Sequence, residues 1–164
     1  MMKTKKYKYY KLVFNIIWKN LSIKNDIIEK FSNRYNINPS LLKSIIVIEQ
    51  MNRGHLLYKF VEKFLSIYLK NILVKMDLSI GYCQIKITTA QKMCRKIKKE
   101  LLIKFLVNEN INIHICARLL ASLKNKTIDE TIIYYNAGTF DKNIIDQSLI
   151  FYLDLCKHGL SKKI

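Results

Sequence analysis

Helix-breaking residues are nearly absent from this sequence, which has one Pro and four Gly among 164 residues. Long stretches rich in Ile, Leu and Lys have their apolar residues at helical spacing, and no segment shows a competing strand pattern. Half of the residues are apolar, which is enough for a real core in a chain of this length. The sequence therefore predicts an all-α, mainly helical single domain of about seven helices joined by short polar turns.

Cap residues predict where several helices begin and end. Asn38 followed by Pro39 is typical of a helix N-terminus, and Thr127 with Glu130 has the spacing of a capping box. The other predicted starts are Asn25 or Asp26, Thr88 or Thr89, and Asn110 or Asn112, and the predicted stops are Gly54, Gly138 and Gly159.

A further helix is predicted over residues 56–75, where apolar residues recur every three or four positions. This spacing suits a helix that packs along one face. The residues expected on that packed face are Leu57, Phe60, Phe64, Ile67, Tyr68 and Leu73.

Glu49 has an unusual position for a solvated carboxylate. It falls near the centre of the apolar stripe formed by the helix that Pro39 begins, with Lys43 and Gln50 on the opposite side. Burial against hydrocarbon disfavours the charged form and should raise the pKa of the carboxyl, as suits a general acid near neutral pH. The alternative is a Glu at a helix end whose stem covers the core while its carboxylate reaches water.

Three further blocks follow Glu49 along the chain: GYCQI at 81–85, Thr89-Ala90, and YNAG at 135–138. In this order they resemble the lytic transglycosylase and goose-type lysozyme superfamily, over roughly residues 26–155. Its usual pattern is a catalytic Glu-Ser on a helix, then Gly-Leu-Met-Gln-Ile with Thr-Ala at its end, then Tyr-Asn-Ala-Gly. The resemblance implies a lysozyme-like fold for residues 26–164.

This sequence departs from the family pattern at several positions. Gln50 stands where the family usually has Ser, Tyr82 and Cys83 replace Leu-Met, and Ile87 stands where Pro is common. About thirty residues also separate Glu49 from Gly81, more than in the simplest members. These differences concern the substrate pocket more than the acid.

The resemblance implies catalysis by a single Glu, here Glu49, with Ser79 and Gln84 lining the cleft and Tyr135 and Asn136 as positioning groups. Most glycosidases use two carboxylates, and Asp77 is the nearest candidate for a second one. The alternatives are that Asp77 forms a turn or a helix cap, that Gln84 caps a neighbouring helix, and that residues 135–138 only terminate a helix.

These inferences favour a peptidoglycan-cleaving lytic transglycosylase, acting on the bond between N-acetylmuramic acid and N-acetylglucosamine and giving 1,6-anhydro products. The first alternative is a hydrolytic lysozyme. The second is a non-catalytic basic helical module that binds the cell wall or nucleic acid. The expected partners are peptidoglycan strands and anionic wall polymers, and the resemblance implies a location in the cell envelope or outside the cell.

The net charge of +17 would attract polyanions such as nucleic acid, anionic lipid or the bacterial wall. No zinc finger, basic zipper or RNA-binding motif is recognisable, so no specific nucleic acid is expected. The alternative is a solvated Lys-rich surface. The basic residues crowd the first eleven positions and one predicted helix, which holds Lys92, Arg95, Lys96, Lys98, Lys99 and Lys104.

Residues 1–25 form a basic and apolar N-terminal segment. Its apolar run at 12–18 is too short to span a bilayer and is followed by no small-residue cleavage site. An uncleaved anchor and a segment lying on the membrane through residues 1–18 are the alternatives to an ordinary first helix, which is preferred.

The four Cys and three His residues do not have the spacing of a metal or redox site. The Cys residues lie in apolar surroundings, so buried free thiols are expected. The three His residues are scattered singly. We therefore predict neither a metal nor a cofactor.

Overall fold

The computed structural model describes residues 2–53, 57–141 and 146–162, with side chains described in these ranges except at 2–6, 22–23 and 57–60. This part of the chain contains ten α-helices, which confirms the all-α prediction. A 3₁₀ turn, Leu21–Lys24, follows the first helix. The helices are α1 Met2–Asn20, α2 Asn25–Tyr35, α3 Pro39–Asn52, α4 Leu57–Tyr68, α5 Lys70–Met76, α6 Ile87–Met93, α7 Lys99–Val107, α8 Glu109–Ser122, α9 Ile128–Ala137 and α10 Gln147–Leu160.

Two short strands, β1 Ser79–Ile80 and β2 Ile85–Lys86, form an antiparallel hairpin that the sequence pattern did not predict. Ser79 pairs with Lys86, and Ile80 pairs with Ile85. Segments of two residues are too short to show an alternating pattern. The hairpin places the residues of the GYCQI block in its turn and second strand.

The helices outnumber the seven expected partly because two predicted helices are divided. The segment 56–75 is interrupted at Leu69, whose backbone leaves the helical region at φ −126° and ψ 39°. The basic residues between 92 and 104 do not share one helix either. Lys92 lies in α6, which ends at Met93, and Lys99 begins α7.

The prediction of one packed face on 56–75 was wrong. Phe64, Ile67 and Tyr68 are exposed, whereas Leu65 is half-buried, Ser66 is buried and Leu73 is buried as expected. The segment is apolar on both sides, so its periodicity could not tell which stripe packs on the protein. The predicted residues at 57 and 60 have side chains outside the described set.

Helix α3 forms the centre of the core, because α1, α2, α8 and α10 all pack on it. Residues 40–48 are buried without exception. Lys43, which was expected opposite the apolar stripe, is only 2 % exposed. Its ammonium group donates to Asn25 Oδ1 at 2.7 Å and lies 4.6 Å from the centre of the Trp18 ring. Burial lowers the pKa of Lys43.

Helix α1 belongs to the same core, because Phe14 and Trp18 are buried and α1 packs on α3. Phe14 and Trp18 also stack on each other, with ring centroids 5.7 Å apart. Within the described ranges, no helix combines the length and the hydropathy that crossing a membrane requires.

Several predicted caps are present. Asn38 Oδ1 accepts from the backbone N–H of Ser40 at 2.8 Å, and Thr127 forms the capping box with Glu130. Helices α2 and α6 begin within one residue of the predicted positions. Helix α8 begins at Glu109, one residue before the predicted Asn110, and its N-cap is Asn108. Gly54 lies outside the described residues, and α3 ends at Asn52.

Of the two described glycine stops, Gly138 is confirmed and Gly159 is wrong. Gly138 ends α9 in the left-handed conformation, at φ 75°. Gly159 lies inside α10, where the two helix backbones of α3 and α10 come close together. A Cβ atom at Gly159 would lie 1.9 Å from Ser44 Oγ.

Gly159→Ala should therefore destabilise the protein, although Ala favours a helix over Gly by up to about 1 kcal/mol. Overpacking typically costs about 1–3 kcal/mol, so we expect a net loss in the free energy of unfolding. Chemical denaturation measures this change. In the double variant Ser44→Ala/Gly159→Ala, removal of the hydroxyl should restore part of the loss. A single variant more stable than wild type would contradict the close helix packing.

Candidate active site

A cleft of about 380 Å³ lies where the end of α3, the β hairpin, the start of α6 and the end of α9 meet. Polar side chains and Glu49 line much of its wall. The structure brings all six predicted site residues to this cleft: Glu49, Asp77, Ser79, Gln84, Tyr135 and Asn136.

Glu49 is partly buried near the end of α3. The hydroxyl of Tyr152, on α10, donates a hydrogen bond to Glu49 Oε1 at 2.8 Å. Burial raises the pKa of Glu49 to about 7, and the bond from Tyr152 offsets part of this rise by stabilising the charged form. A carboxyl group with this pKa can both give and take a proton near neutral pH.

Tyr152 is the main residue at this site that the sequence reasoning missed. Its side chain is buried, and burial holds the pKa of its hydroxyl well above the usual range, so it remains a neutral donor. It lies on the inward stripe of α10 with Leu149, Leu155 and Cys156. A hydroxyl-bearing residue in the middle of an apolar stripe was the available signal, because a buried Tyr usually has a hydrogen-bond partner.

The turn from Gly81 to Gln84 shapes one wall of the cleft. Both residues have a left-handed backbone, at φ 84° and 47°. The backbone N–H and the side-chain amide of Gln84 both donate to the Gly81 carbonyl, at 3.0 and 2.8 Å. Gln84 therefore closes its own turn and does not cap a neighbouring helix.

Asn112 holds this turn from beneath and was also missed as a site residue. Its side chain, which is fully buried, accepts from Cys83 N–H at 2.7 Å and donates to the carbonyls of Ile80 and Leu106 at 2.9 and 3.0 Å. A Cβ atom at Gly81 would lie 2.1 Å from Asn112 Nδ2. The turn therefore needs a glycine at this position both for its φ angle and for this close approach.

Two more side chains attach to the same turn. Gln50, which follows Glu49, donates through Nε2 to the Tyr82 carbonyl at 2.6 Å and so ties α3 to the hairpin. The Tyr135 hydroxyl donates to the Cys83 carbonyl. Tyr135 thus positions the turn, while the exposed Asn136 lies at the cleft rim. The YNAG block also terminates α9, which ends at Ala137 with Gly138 as its C-cap.

Asp77 lines the cleft, and both oxygens of its carboxylate accept hydrogen bonds from Thr88. It adopts the left-handed conformation at the end of α5, with φ 47°. Its two oxygens accept from the backbone N–H and the hydroxyl of Thr88, at 2.8 and 2.7 Å, in the first turn of α6. Asp77 is therefore a helix cap, as one of the alternatives anticipated. Ser79 lies two residues further on, in β1.

None of the described Cys and His residues lines the cleft. All four Cys are free, with Cys94 partly buried and the other three buried. His114 stacks on Phe31 and bonds the Tyr35 hydroxyl, and His158 bonds Asn15. His55 lies outside the described residues. Among the residues that are described, no three potential metal ligands come together.

Tyr152→Phe tests the environment of Glu49 without any assumption about substrate. Loss of the hydrogen bond removes support for the carboxylate, so the pKa of Glu49 should rise further above 7. Carboxyl ¹³C NMR titration of Glu49 measures this. Tyr135→Phe is the matched control, because its hydroxyl bonds the Cys83 carbonyl and it should leave the titration nearly in place. A Glu49 pKa that is unchanged or lower in Tyr152→Phe would contradict the assigned bond.

Comparison of the chain with models of known protein families, with curated proteins and with solved structures finds no match. The chemistry of the cleft is therefore interpreted from its own groups. These are one carboxyl that titrates near neutrality, one carboxylate used as a helix cap, and a wall of amides and hydroxyls.

Proposed function

We propose that this protein is a peptidoglycan lytic transglycosylase that cleaves the bond between N-acetylmuramic acid and N-acetylglucosamine. The observation that carries the proposal is Glu49: a partly buried carboxyl in a cleft, with its pKa raised to about 7 and with a hydrogen bond from Tyr152. The order of the blocks around Glu49, which resembles the transglycosylase pattern, supports the same function.

In the proposed reaction, protonated Glu49 gives its proton to the glycosidic oxygen as the bond to the anomeric carbon breaks. The Glu49 carboxylate then takes a proton from the 6-hydroxyl of the muramic acid residue. The freed oxygen attacks the anomeric carbon and closes the 1,6-anhydro ring. Glu49 ends the cycle protonated, and no water is consumed. Tyr152 orients the carboxyl and stabilises its charged form between the two transfers.

The neighbouring groups suit a sugar ligand. Ser79, Gln84 and Asn136 line the cleft with Glu49 and offer hydroxyl and amide groups to the sugar hydroxyls and N-acetyl groups. The side-chain nitrogen of Gln84 donates to the Gly81 carbonyl. The oxygen of the same amide is therefore the group that we expect to accept a hydrogen bond from the sugar.

The basic surface fits an anionic wall. Lys86 and Lys92 are exposed and line the cleft, and the basic residues between 95 and 104 are exposed nearby in sequence. We infer peptidoglycan strands and anionic wall polymers as partners, and a location in the cell envelope or outside the cell.

The alternative of a hydrolytic lysozyme needs a base that activates water. Asp77 is the second carboxylate of the cleft lining, and both of its oxygens already accept from Thr88. This observation favours the transglycosylase. A non-catalytic binding module, in turn, would have no use for a buried carboxyl that titrates near pH 7.

Glu49→Gln should abolish cleavage of purified peptidoglycan, with a fall of at least about 100-fold, because an amide neither gives nor takes the proton. Cleavage within tenfold of the wild-type rate would end the assignment. Glu29→Gln, on the exposed outer side of α2, is the matched control and should keep full activity.

Glu49→Gln should also change how the stability of the protein depends on pH. This change distinguishes a loss of catalysis from a loss of folding. Because burial raises the pKa of Glu49 from 4.5 to about 7, the folded protein holds its proton over that range while the unfolded chain releases it. Wild-type stability should therefore fall by roughly 3 kcal/mol between about pH 4.5 and pH 7 through this group. Glu49→Gln removes this dependence, so its stability relative to wild type should increase over the same range, as denaturation at several pH values would show.

Asp77→Asn distinguishes the two chemistries. The amide can still accept from the Thr88 N–H through its oxygen and donate to the Thr88 hydroxyl, so the cap of α6 survives. We expect most of the activity to remain, and mass spectrometry should find wild-type products lighter by one water than lysozyme products. An inactive, folded Asn variant together with reducing-end products from wild type would make Asp77 a second catalytic carboxylate and the protein a lysozyme.

A further inference from the structure

The outer face of α4 and α5 is apolar and exposed. On α4, Val61, Phe64 and Tyr68 fall on one stripe, with Ile67 beside it. The Phe64 and Tyr68 rings lie in contact, with centroids 4.8 Å apart. We call this surface the outer apolar face; its members are Val61, Phe64, Ile67, Tyr68, Leu69, Ile72 and Met76, joined by Leu101 of α7.

The inner side of the same helices already accounts for their attachment to the protein. Leu65, Ser66 and Leu73 are turned inward, and both helices pack on α7. Glu62 is also turned inward, where it pairs with Arg53 and accepts from Gly81 N–H. The exposed side chains of the outer apolar face take no part in this inner packing, and an exposed apolar surface of this kind marks an interaction site.

Lysines flank the outer apolar face. Lys63 and Lys75 are exposed on α4 and α5, and Lys98 and Lys104 lie three residues to either side of Leu101. Acidic groups are few: Glu62 is used internally, α5 has none, and Glu100 is the exposed acid next to Leu101. An apolar stripe bordered by cations is the pattern of a helix that lies in the surface of an anionic membrane.

We propose that the outer apolar face rests on the surface of a membrane rich in anionic lipid. The apolar side chains enter the boundary between headgroups and acyl chains, while the bordering lysines contact lipid phosphates. A second copy of the chain fits less well, because it would bring the same lysines and another net charge of +17 against them.

The membrane contact extends the function beyond the chemistry of the cleft. Met76, at one end of the outer apolar face, is followed directly by Asp77, which lines the cleft. A protein held by this face would therefore work on glycan close to the membrane surface. Lipid binding does not depend on Glu49, so its test and the test of wall cleavage can fail separately.

The experiment measures sedimentation of the full chain with vesicles of phosphatidylcholine containing roughly one-third phosphatidylglycerol, and with phosphatidylcholine alone. Wild type should bind the anionic vesicles, and raising the salt should weaken binding as charges are screened. Phe64→Ser/Ile67→Ser should bind at least roughly tenfold more weakly. These side chains are 56 % and 55 % exposed, so the fold and the circular-dichroism signal should persist.

The matched control is Leu12→Ser/Ile16→Ser, on α1, whose side chains are 57 % and 53 % exposed. It should bind nearly as wild type does. If the α1 variant loses vesicle binding and the α4 variant keeps it, residues 1–18 are the membrane contact and the proposal is overturned. Equal binding to both kinds of vesicle, or no binding, also overturns it. A dimer in light scattering that Phe64→Ser/Ile67→Ser dissociates, without vesicle binding, would assign the face to a second copy.

Discussion

The burial of α3 on every side is the constraint on which the site depends. Four helices pack around residues 40–48, so the last turns of α3 emerge from the core directly into the cleft. Glu49 directly follows this buried stretch. The poor hydration at this depth raises the pKa of its carboxyl to about 7. The packing that stabilises the fold therefore also raises the pKa of the Glu49 carboxyl, and the hydrogen bond from Tyr152 limits this rise.

The opposite wall depends on a different interaction, the hydrogen bonding of a few peptide groups in the hairpin turn. Asn112 from α8, Gln50 from α3 and Tyr135 from α9 each bond a backbone group between residues 80 and 83. Buried peptide groups left without partners are costly, so these bonds fix the position of the turn against three helices. Gln84 can keep its left-handed conformation, at φ 47°, because these hydrogen bonds hold the rest of the turn in place. Gln50 has a side chain long enough to reach the Tyr82 carbonyl, at 2.6 Å.

Local signals in the sequence predicted the helical class, the caps at Asn38 and Thr127, and the position of Glu49, because each rests on residues within a turn or two of each other. Contacts between distant segments were not predictable in this way. Tyr152 lies 103 residues from its partner, and Gly159 was taken for a helix stop because its close approach to Ser44 is a tertiary contact. The segment 56–75 has apolar residues on two faces, and only the folded arrangement decides that Leu73 packs while Phe64 remains exposed.

Two carboxyl groups line one cleft, and their surroundings give them different properties. Glu49 has a hydrocarbon environment and one hydroxyl donor, so its neutral form is accessible near pH 7. Asp77 has an N–H and a hydroxyl donor, both from Thr88, aimed at its two oxygens, so its carboxylate serves the start of α6. The cleft thus contains one carboxyl with a raised pKa and one carboxylate with a structural role. This difference is the basis of the proposal that the same acid serves twice and that the substrate supplies its own nucleophile.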